Sequence, residues 1–202
     1  MKKLLIFSVA LVMISFISAD KPLTKEEREK ATTLLKDTET GVEKAIAGLS
    51  EDQLQVRASD STWSVEGCVK HIAITEQMLW QTVEQALAKP VNPEKRSSIK
   101  ATDEQVVQMI ESRAQKVKTM DPLKPENTPF TSTEDALKSF RENRDKLINF
   151  VNTTQEDLRN RVIEFPFASF DAYQVILFIA AHSNRHTQQI NEVKAQAAFP
   201  KN

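Results

Sequence analysis

Apolar residues recur at three- and four-residue spacing through each long stretch of the chain that lacks proline. Proline inside a helix removes a hydrogen bond and clashes with the preceding turn, so these stretches are the candidate helices. The pattern predicts helices over about Lys25–Leu49, Val65–Ala88, 103–118, Glu134–Val151 and Asp171–Ala195. No segment shows a convincing strand pattern. The apolar residues 165–167 are expected to form an irregular lead into the last helix.

Helix-start signals support these boundaries. Thr24 and Thr102 each begin a capping box, in which a side chain at either end of a four-residue segment satisfies a free backbone N–H of the other. Ser64 is a single N-cap for the second long helix. Three prolines make residues 119–131 a loop. Four long helices and one short helix in a connection predict an all-α fold, a four-helix bundle with a long crossover.

The first residues have the pattern of a secretory signal. Lys2 and Lys3 precede an apolar run that ends in small residues before Asp20, and this order predicts a signal peptide over residues 1–19. The helical bundle domain is then residues 20–202, and the protein is expected to be secreted or periplasmic, with no membrane association after signal removal. The alternative is an uncleaved anchor, although the run is shorter than the roughly 20 residues that a spanning helix needs.

Composition narrows the classes of function. The 202 residues carry 27 Lys and Arg against 28 Asp and Glu, a formal net charge of -1, so the chain lacks the basic surplus typical of nucleic-acid binders. Hydrophobic residues make up 40% and Gly only three positions, which excludes a disordered chain and disfavours a turn-rich β fold. The single cysteine, Cys68, cannot form an internal disulfide.

The histidines are the candidate chemistry. His182 and His186 lie four residues apart on the last predicted helix, so both rings project from one face, and His71 lies on the inward stripe of the second long helix. Buried histidines need partners, and their charged forms repel each other. A metal ion bound by the neutral rings would resolve both problems. From spacing alone, a pair of core histidines with ordinary hydrogen bonds remains the alternative.

Two motifs resemble those of the DinB-like (YfiT-like) family. The segment 63–73, with Trp-Ser at its start and His71 near its end, is similar to the second-helix motif of that family. The segment 177–190, with an apolar run before His182 and Arg-His at 185–186, is similar to its last-helix motif. The resemblance implies a four-helix bundle that holds a divalent metal ion through His71, His182 and His186. Imidazole ligands suit Zn and Ni, so these are the expected metals. Three imidazoles would leave a coordination position open.

The resemblance implies a metal-dependent hydrolase acting on an unidentified small-molecule substrate, with its catalytic residues still unknown. Three alternatives remain open: a non-catalytic module that binds metal or a small ligand, a thiol-dependent S-transferase of the same family, and a plain bundle whose histidines have no role. Export disfavours the transferase, because exported compartments are poor in reduced thiols. The sequence leaves the oligomeric state open, with a homodimer among the candidates.

Four further residues near the histidines carry weaker signals. Cys68 lies one turn before His71, either as a fourth ligand or, by preference, as a small core residue. Gln189 either orients a bound water or substrate or is only a polar residue at the end of the bundle. Trp63 is expected to cover the start of the second long helix, and Arg185 to face another helix or solvent, paired with an acidic residue.

Overall fold

Four long helices form the framework of the protein. The computed structural model describes residues 21–59 and 62–200, so the predicted signal peptide lies outside the described residues. The elements run in the order α1 (Lys25–Ile46), α2 (Glu51–Leu54), α3 (Val65–Leu87), α4 (Asp103–Glu111), α5 (Thr133–Thr153), β1 (Val162–Phe165), β2 (Ala168–Asp171) and α6 (Ala172–Lys194), with short 3-10 turns at 93–98, 121–123 and 125–127. None of the helices within these ranges is long and apolar enough to cross a lipid bilayer.

The long helices α1, α3, α5 and α6 form a ring around the core. Helix α6 packs against α1 and α3, and α5 packs against the same two helices, so α1 and α3 lie diagonally across the bundle. The long connection from α3 to α5 carries α4, which packs on the outside of α6. The predicted four-helix bundle with a long crossover and one short extra helix is therefore confirmed, and α6 is its most enclosed helix.

The helix ends follow the local sequence. Both predicted capping boxes are present at Thr24 and Thr102, and Ser64 caps α3 by accepting from the Gly67 N–H. Helix α1 ends at Ile46, three residues before the expected position, because Gly48 takes φ +72. Such a positive φ suits glycine, which has no Cβ to clash with its own backbone.

The helix predicted over 103–118 is shorter than expected. It ends at Glu111, where the Ser112 N–H makes the last helical hydrogen bond, to the Gln108 carbonyl, and residues 113–120 are not helical. Within this stretch only Leu123 is buried, whereas Val117 is 74% exposed. Without an apolar stripe to pack, a helix here would gain little from burial. We call residues 112–123 the strap, because they pass across the end of α6 and return to α3.

The expectation of no strand was wrong. Residues 162–165 and 168–171 form an antiparallel hairpin in which Ile163 pairs with Phe170, and a two-residue turn joins the strands at residues 166–167. Each strand is only four residues long, too short to show a clear alternation. The hairpin ends at Asp171, whose side chain caps α6 and accepts from the Gln174 N–H. It therefore fixes where α6 begins.

A buried arginine joins all four long helices. Arg144 on α5 is fully buried, and its guanidinium donates two hydrogen bonds, at 3.0 and 2.7 Å, to the carboxylate of Glu76 on α3. The same group donates to the Leu35 carbonyl and the Thr38 hydroxyl on α1, and to the Ser183 hydroxyl on α6. The polar partners of Arg144 thus lie on the three other long helices. One of them, Ser183, directly follows His182 in the sequence.

Candidate metal centre

The three histidines meet between α3 and α6. His71 comes from the second turn of α3, while His182 and His186 face it from successive turns of α6. One ligand atom from each ring can be chosen so that all three lie within 4.8 Å of one another. His71 and His186 are buried, and His182 is half-buried. The structure therefore brings together all three histidines of the chain.

The Nε2 atoms are the ones that converge. His182 Nε2 lies 3.2 Å from His71 Nε2 and 3.1 Å from His186 Nε2. Two nitrogen ligands of one tetrahedral zinc ion, each at about 2.0–2.1 Å, would lie about 3.3 Å apart. The spacing of the rings is thus close to the spacing that a single shared ion requires.

A backbone carbonyl fixes the tautomer of His71. Its Nδ1 lies 2.7 Å from the carbonyl oxygen of Leu123, at the end of the strap, and 3.3 Å from the Thr75 hydroxyl. A carbonyl can only accept, so Nδ1 must carry the proton and donate it. In the neutral ring Nε2 is then unprotonated, and its lone pair points at the cluster.

His186 is held in the same tautomer as His71, but by a side chain instead of a backbone carbonyl. Its Nδ1 lies 3.0 Å from Oε1 of Gln189 on the next turn of α6. That oxygen also accepts from Nη1 of Arg113, at 3.4 Å, and Arg113 pairs through Nε and Nη2 with the carboxylate of Glu192. With the proton on Nδ1, the Nε2 lone pair of His186 also points at the cluster. Both outer histidines therefore present bare nitrogens to His182.

Burial keeps the three rings neutral. It lowers the pKa of His71 from 6.5 to about 4, against the opposing effect of the Leu123 carbonyl. It holds the pKa of His182 and that of His186 well below the usual value, and the neighbouring histidines lower both further. Neutral imidazole is the form that binds metal, so the rings are in the binding-competent state at neutral pH.

Aromatic side chains border the cluster at both ends. The Trp63 ring lies 4.5 Å from the His71 ring and 5.8 Å from the His186 ring, between centroids. Trp63 thus covers the start of α3, as expected from the sequence. At the other end the Phe178 ring lies 6.2 Å from that of His182, one turn earlier on α6.

The donor set fits a divalent transition metal. The unprotonated Nε2 atoms of His71 and His186 each lie within 3.2 Å of His182 Nε2. Of the three rings, only His182 can carry a proton on its Nε2. A single N–H at His182 Nε2 can donate with good geometry to only one of the two outer nitrogens, so at least one lone pair lacks a donor. A cation bound by all three nitrogens would satisfy these lone pairs, and imidazole ligands suit Zn and Ni. Among the described residues, no Cys, Asp or Glu joins the group within that spacing.

The structure decides between the alternatives for Cys68 and gives the contacts of Gln189 and Arg185. Cys68 lies in the apolar core, and burial raises the pKa of its thiol to about 12, so it is a small core residue. Gln189 contacts His186 itself. Arg185 donates to the Gln115 carbonyl in the strap, at 2.8 Å, where an acidic partner was expected.

Two supporting groups were not predicted from the sequence. The Leu123 carbonyl is a backbone atom and leaves no residue signal. Arg113 was placed within the helix expected over 103–118, and nothing in its local pattern links it to a site 76 residues away. Both belong to the strap, whose course depends on tertiary packing.

Comparison with known proteins agrees with this fold. The family model of the DinB superfamily matches residues 34–190, so the chain belongs to the DinB superfamily. It is 26% identical over 150 residues to the uncharacterized protein YuaE of Bacillus subtilis (strain 168), a match that covers 74% of this chain and 88% of that protein. Its fold is similar to that of YfiT from Bacillus subtilis, a probable metal-dependent hydrolase with an unusual four-helix bundle topology. That superposition has a TM-score of 0.60 at 15% identity and covers 89% of this chain and 93% of YfiT.

Proposed function

We propose that His71, His182 and His186 bind one divalent metal ion, Zn or Ni, and that the protein is a metal-dependent hydrolase of a small-molecule substrate. The observation that carries the proposal is the convergence of the three Nε2 atoms, with the lone pairs of the two outer rings directed inward. The description of YfiT as a probable metal-dependent hydrolase supports the same assignment.

The residues of the cluster have separate roles in this proposal. His71 and His186 are held from behind by hydrogen bonds to Nδ1, which orients their rings and makes them better ligands. Within residues 21–59 and 62–200, no group hydrogen-bonds to Nδ1 of His182, and its half-buried ring leaves one side of the cluster accessible. A bound metal would supply Lewis acidity there, lowering the pKa of a coordinated water and polarising a substrate oxygen.

Among the described residues at the cluster, neither Cys68 nor a histidine-activated side chain competes with this chemistry. The raised thiol pKa of Cys68 leaves it protonated at neutral pH, and a thiol rather than a thiolate is a poor nucleophile. All three histidines are assigned as ligands, so none is free to act as a base for a serine or cysteine. Activated water is therefore the attacking group that the site favours.

Metal analysis of the purified protein tests the proposal first. We expect one Zn or Ni per chain, lost on dialysis against chelator and regained on addition of either ion. His182→Ala is expected to remove tight binding, whereas Cys68→Ala, the matched control from the same part of the core, is expected to retain it. A chain that binds no divalent ion in any of these states would exclude the metal site.

Assays with and without metal distinguish the enzyme from its alternatives. Simple esters and amides should be hydrolysed by the metal-loaded protein only. Turnover that needs an added reduced thiol would instead assign the S-transferase reaction, and metal binding without turnover of either class would favour the binding module.

We also propose that the protein is exported, with cleavage after Ala19 leaving residues 20–202 as the bundle domain. The basic, apolar and small-residue order of the first residues supports this. Mass spectrometry of the protein expressed in its own cells tests it. An intact residue 1 in the mature protein would exclude cleavage.

A further inference from the structure

The strap supports both outer ligands of the cluster from behind, His71 directly and His186 through the side chain of Gln189. Its last residue, Leu123, supplies the carbonyl that accepts from His71. Near its other end, Arg113 reaches α6 and donates to the Gln189 side chain, which in turn contacts His186. The two contacts differ in one respect, because a carbonyl can only accept whereas a primary amide can present either an oxygen or an NH2 group.

The orientation of the Gln189 amide decides the state of His186. If the amide oxygen faces Nδ1 of His186, that nitrogen must carry the proton, and Nε2 keeps its lone pair. If the NH2 group faces it, Nδ1 must accept, the proton moves to Nε2, and a ligand position is blocked. His186 alone does not choose between these two arrangements, so another group must.

Arg113 is the group that makes this choice. An arginine side chain has donors only, so the Gln189 atom that it contacts at 3.4 Å must be the oxygen. That same oxygen lies 3.0 Å from His186 Nδ1. Arg113 is itself fixed by two contacts with the Glu192 carboxylate, at 3.2 and 2.7 Å. The chain of contacts therefore runs from Glu192 through Arg113 and Gln189 to the ring.

We infer that Arg113 is a positioning residue of the metal centre: through the amide of Gln189 it holds His186 in the tautomer whose Nε2 can bind metal. The inference rests on the proposed metal role of the cluster, but its first consequence, the tautomer of one ring, exists without metal. Arg113 itself contacts neither the ring nor the ligand position.

Arg113→Met is the primary test, because methionine keeps most of the apolar stem and removes every donor. In metal-free protein, two-bond proton–nitrogen spectra of the histidine rings report which nitrogen carries the proton. We expect the unsubstituted protein to hold His186 in the Nδ1–H form and Arg113→Met to show a mixture. Competition titration with Zn²⁺ should show about tenfold weaker binding, at the low end of the 10- to 100-fold typical for the loss of a group behind a ligand.

Arg185→Met is the matched control. Arg185 also anchors the strap, through the Gln115 carbonyl, and its positive charge also lowers the pKa of His186. In the described part of the chain its guanidinium hydrogen-bonds to the Gln115 carbonyl and makes no hydrogen bond to the Gln189 side chain. Removing either arginine takes away a positive charge that repels the metal ion, so charge alone predicts tighter binding in both variants. We expect weaker binding and a changed tautomer in Arg113→Met only.

Substitution of the intermediate residue completes the test. Gln189→Glu keeps acceptors for both Arg113 and His186, so it should preserve the Nδ1–H form and metal affinity. Gln189→Leu should lose both, with about 10- to 100-fold weaker Zn²⁺ binding. An unchanged His186 tautomer in Arg113→Met, or equal losses in Arg113→Met and Arg185→Met, would overturn the inference. If the unsubstituted protein bound neither Zn²⁺ nor Ni²⁺, the proposed function would fail, and the tautomer spectra would still decide the role of Arg113.

Discussion

Removal of the Arg144 guanidinium should destabilise the bundle strongly and with a characteristic dependence on pH. In Arg144→Met the apolar stem is kept, but the buried Glu76 carboxylate loses Arg144, the one cation that pairs with it among the described residues. The hydroxyls of Thr38 and Ser183 still donate to backbone carbonyls on their own helices. The unpaired carboxylate is therefore the main loss, and breaking a buried ion pair in this way costs about 3–5 kcal/mol.

The pH dependence follows from the proton that Glu76 would take up. Burial already raises the pKa of Glu76, and Arg144 opposes that rise. Without Arg144 the carboxyl should be protonated in the folded state and ionised in the unfolded state above pH 4.5. The folded state then binds one proton more, so its stability relative to the unsubstituted chain increases on acidification. The difference between the two proteins should shrink as the pH falls from 7 to 5, by at most about 1.4 kcal/mol per pH unit, the value reached while Arg144 keeps Glu76 of the unsubstituted chain ionised.

Urea unfolding followed by helical circular dichroism at pH 7, 6 and 5 measures both effects. The double variant Arg144→Met/Glu76→Leu is the control. It removes both charges, so it should be more stable at pH 7 than Arg144→Met alone and should show no extra pH dependence relative to the unsubstituted chain. A loss below about 1 kcal/mol in Arg144→Met, or a loss independent of pH, would refute the reasoning that the buried carboxylate is its source.

Four further outcomes are expected. His182→Ala should lose tight metal binding yet retain helical circular dichroism and a cooperative melt, because apolar burial on the long helices supplies most of the stability. If the variant did not melt cooperatively, the metal would be needed for folding. Metal-free protein should lose about 2 kcal/mol of stability between pH 7 and pH 5 through His71 alone. The ring takes up a proton at a pKa near 6.5 in the unfolded chain, but its pKa is about 4 in the folded protein. In His71→Gln, which cannot titrate, the free energy of unfolding measured in urea should depend less on pH. Gly48→Ala should cost about 1 kcal/mol in the same assay, because its φ of +72 strains any residue with a Cβ even though the space there is open; an unchanged midpoint would show that the backbone relaxes. Cys68→Ser should leave any hydrolysis of esters intact per folded molecule, and loss of activity with full metal content would reinstate the thiol as a participant.

The bundle could be predicted from the sequence because its helices each carry a local signal. Apolar stripes, capping boxes and proline positions lie within a few residues of the boundaries that they determine. Arg144 lies on such a stripe, between Phe140 and Leu147, and its burial follows from that position. The hairpin was missed because its strands are only four residues long, and helix α4 was extended too far because nothing local marks its end at Glu111.

In the candidate site, too, the features with a local sequence signal could be predicted and the others could not. The three histidines stand on inward stripes and in family motifs, so the sequence was sufficient to select them. Their supports were not, because the Leu123 carbonyl has no residue identity and Arg113 reaches Gln189 only through the course of the strap. Whatever depends on contacts between distant segments, including the tautomer of each ring, required the three-dimensional arrangement.

The separation of the ligands along the chain makes metal affinity a reporter of assembly. His182 and His186 are neighbours on one helix, whereas His71 lies 111 residues before His182. In an unfolded chain, His182 and His186 can still come close enough to bind one ion. His71 joins them only when α3 and α6 have packed together. Ligands that bind the folded state alone stabilise it, by about 4 kcal/mol when the free metal is 1,000 times its dissociation constant. Added metal should therefore slow the separation of α3 from α6 most, and chelation should make that interface the first to open.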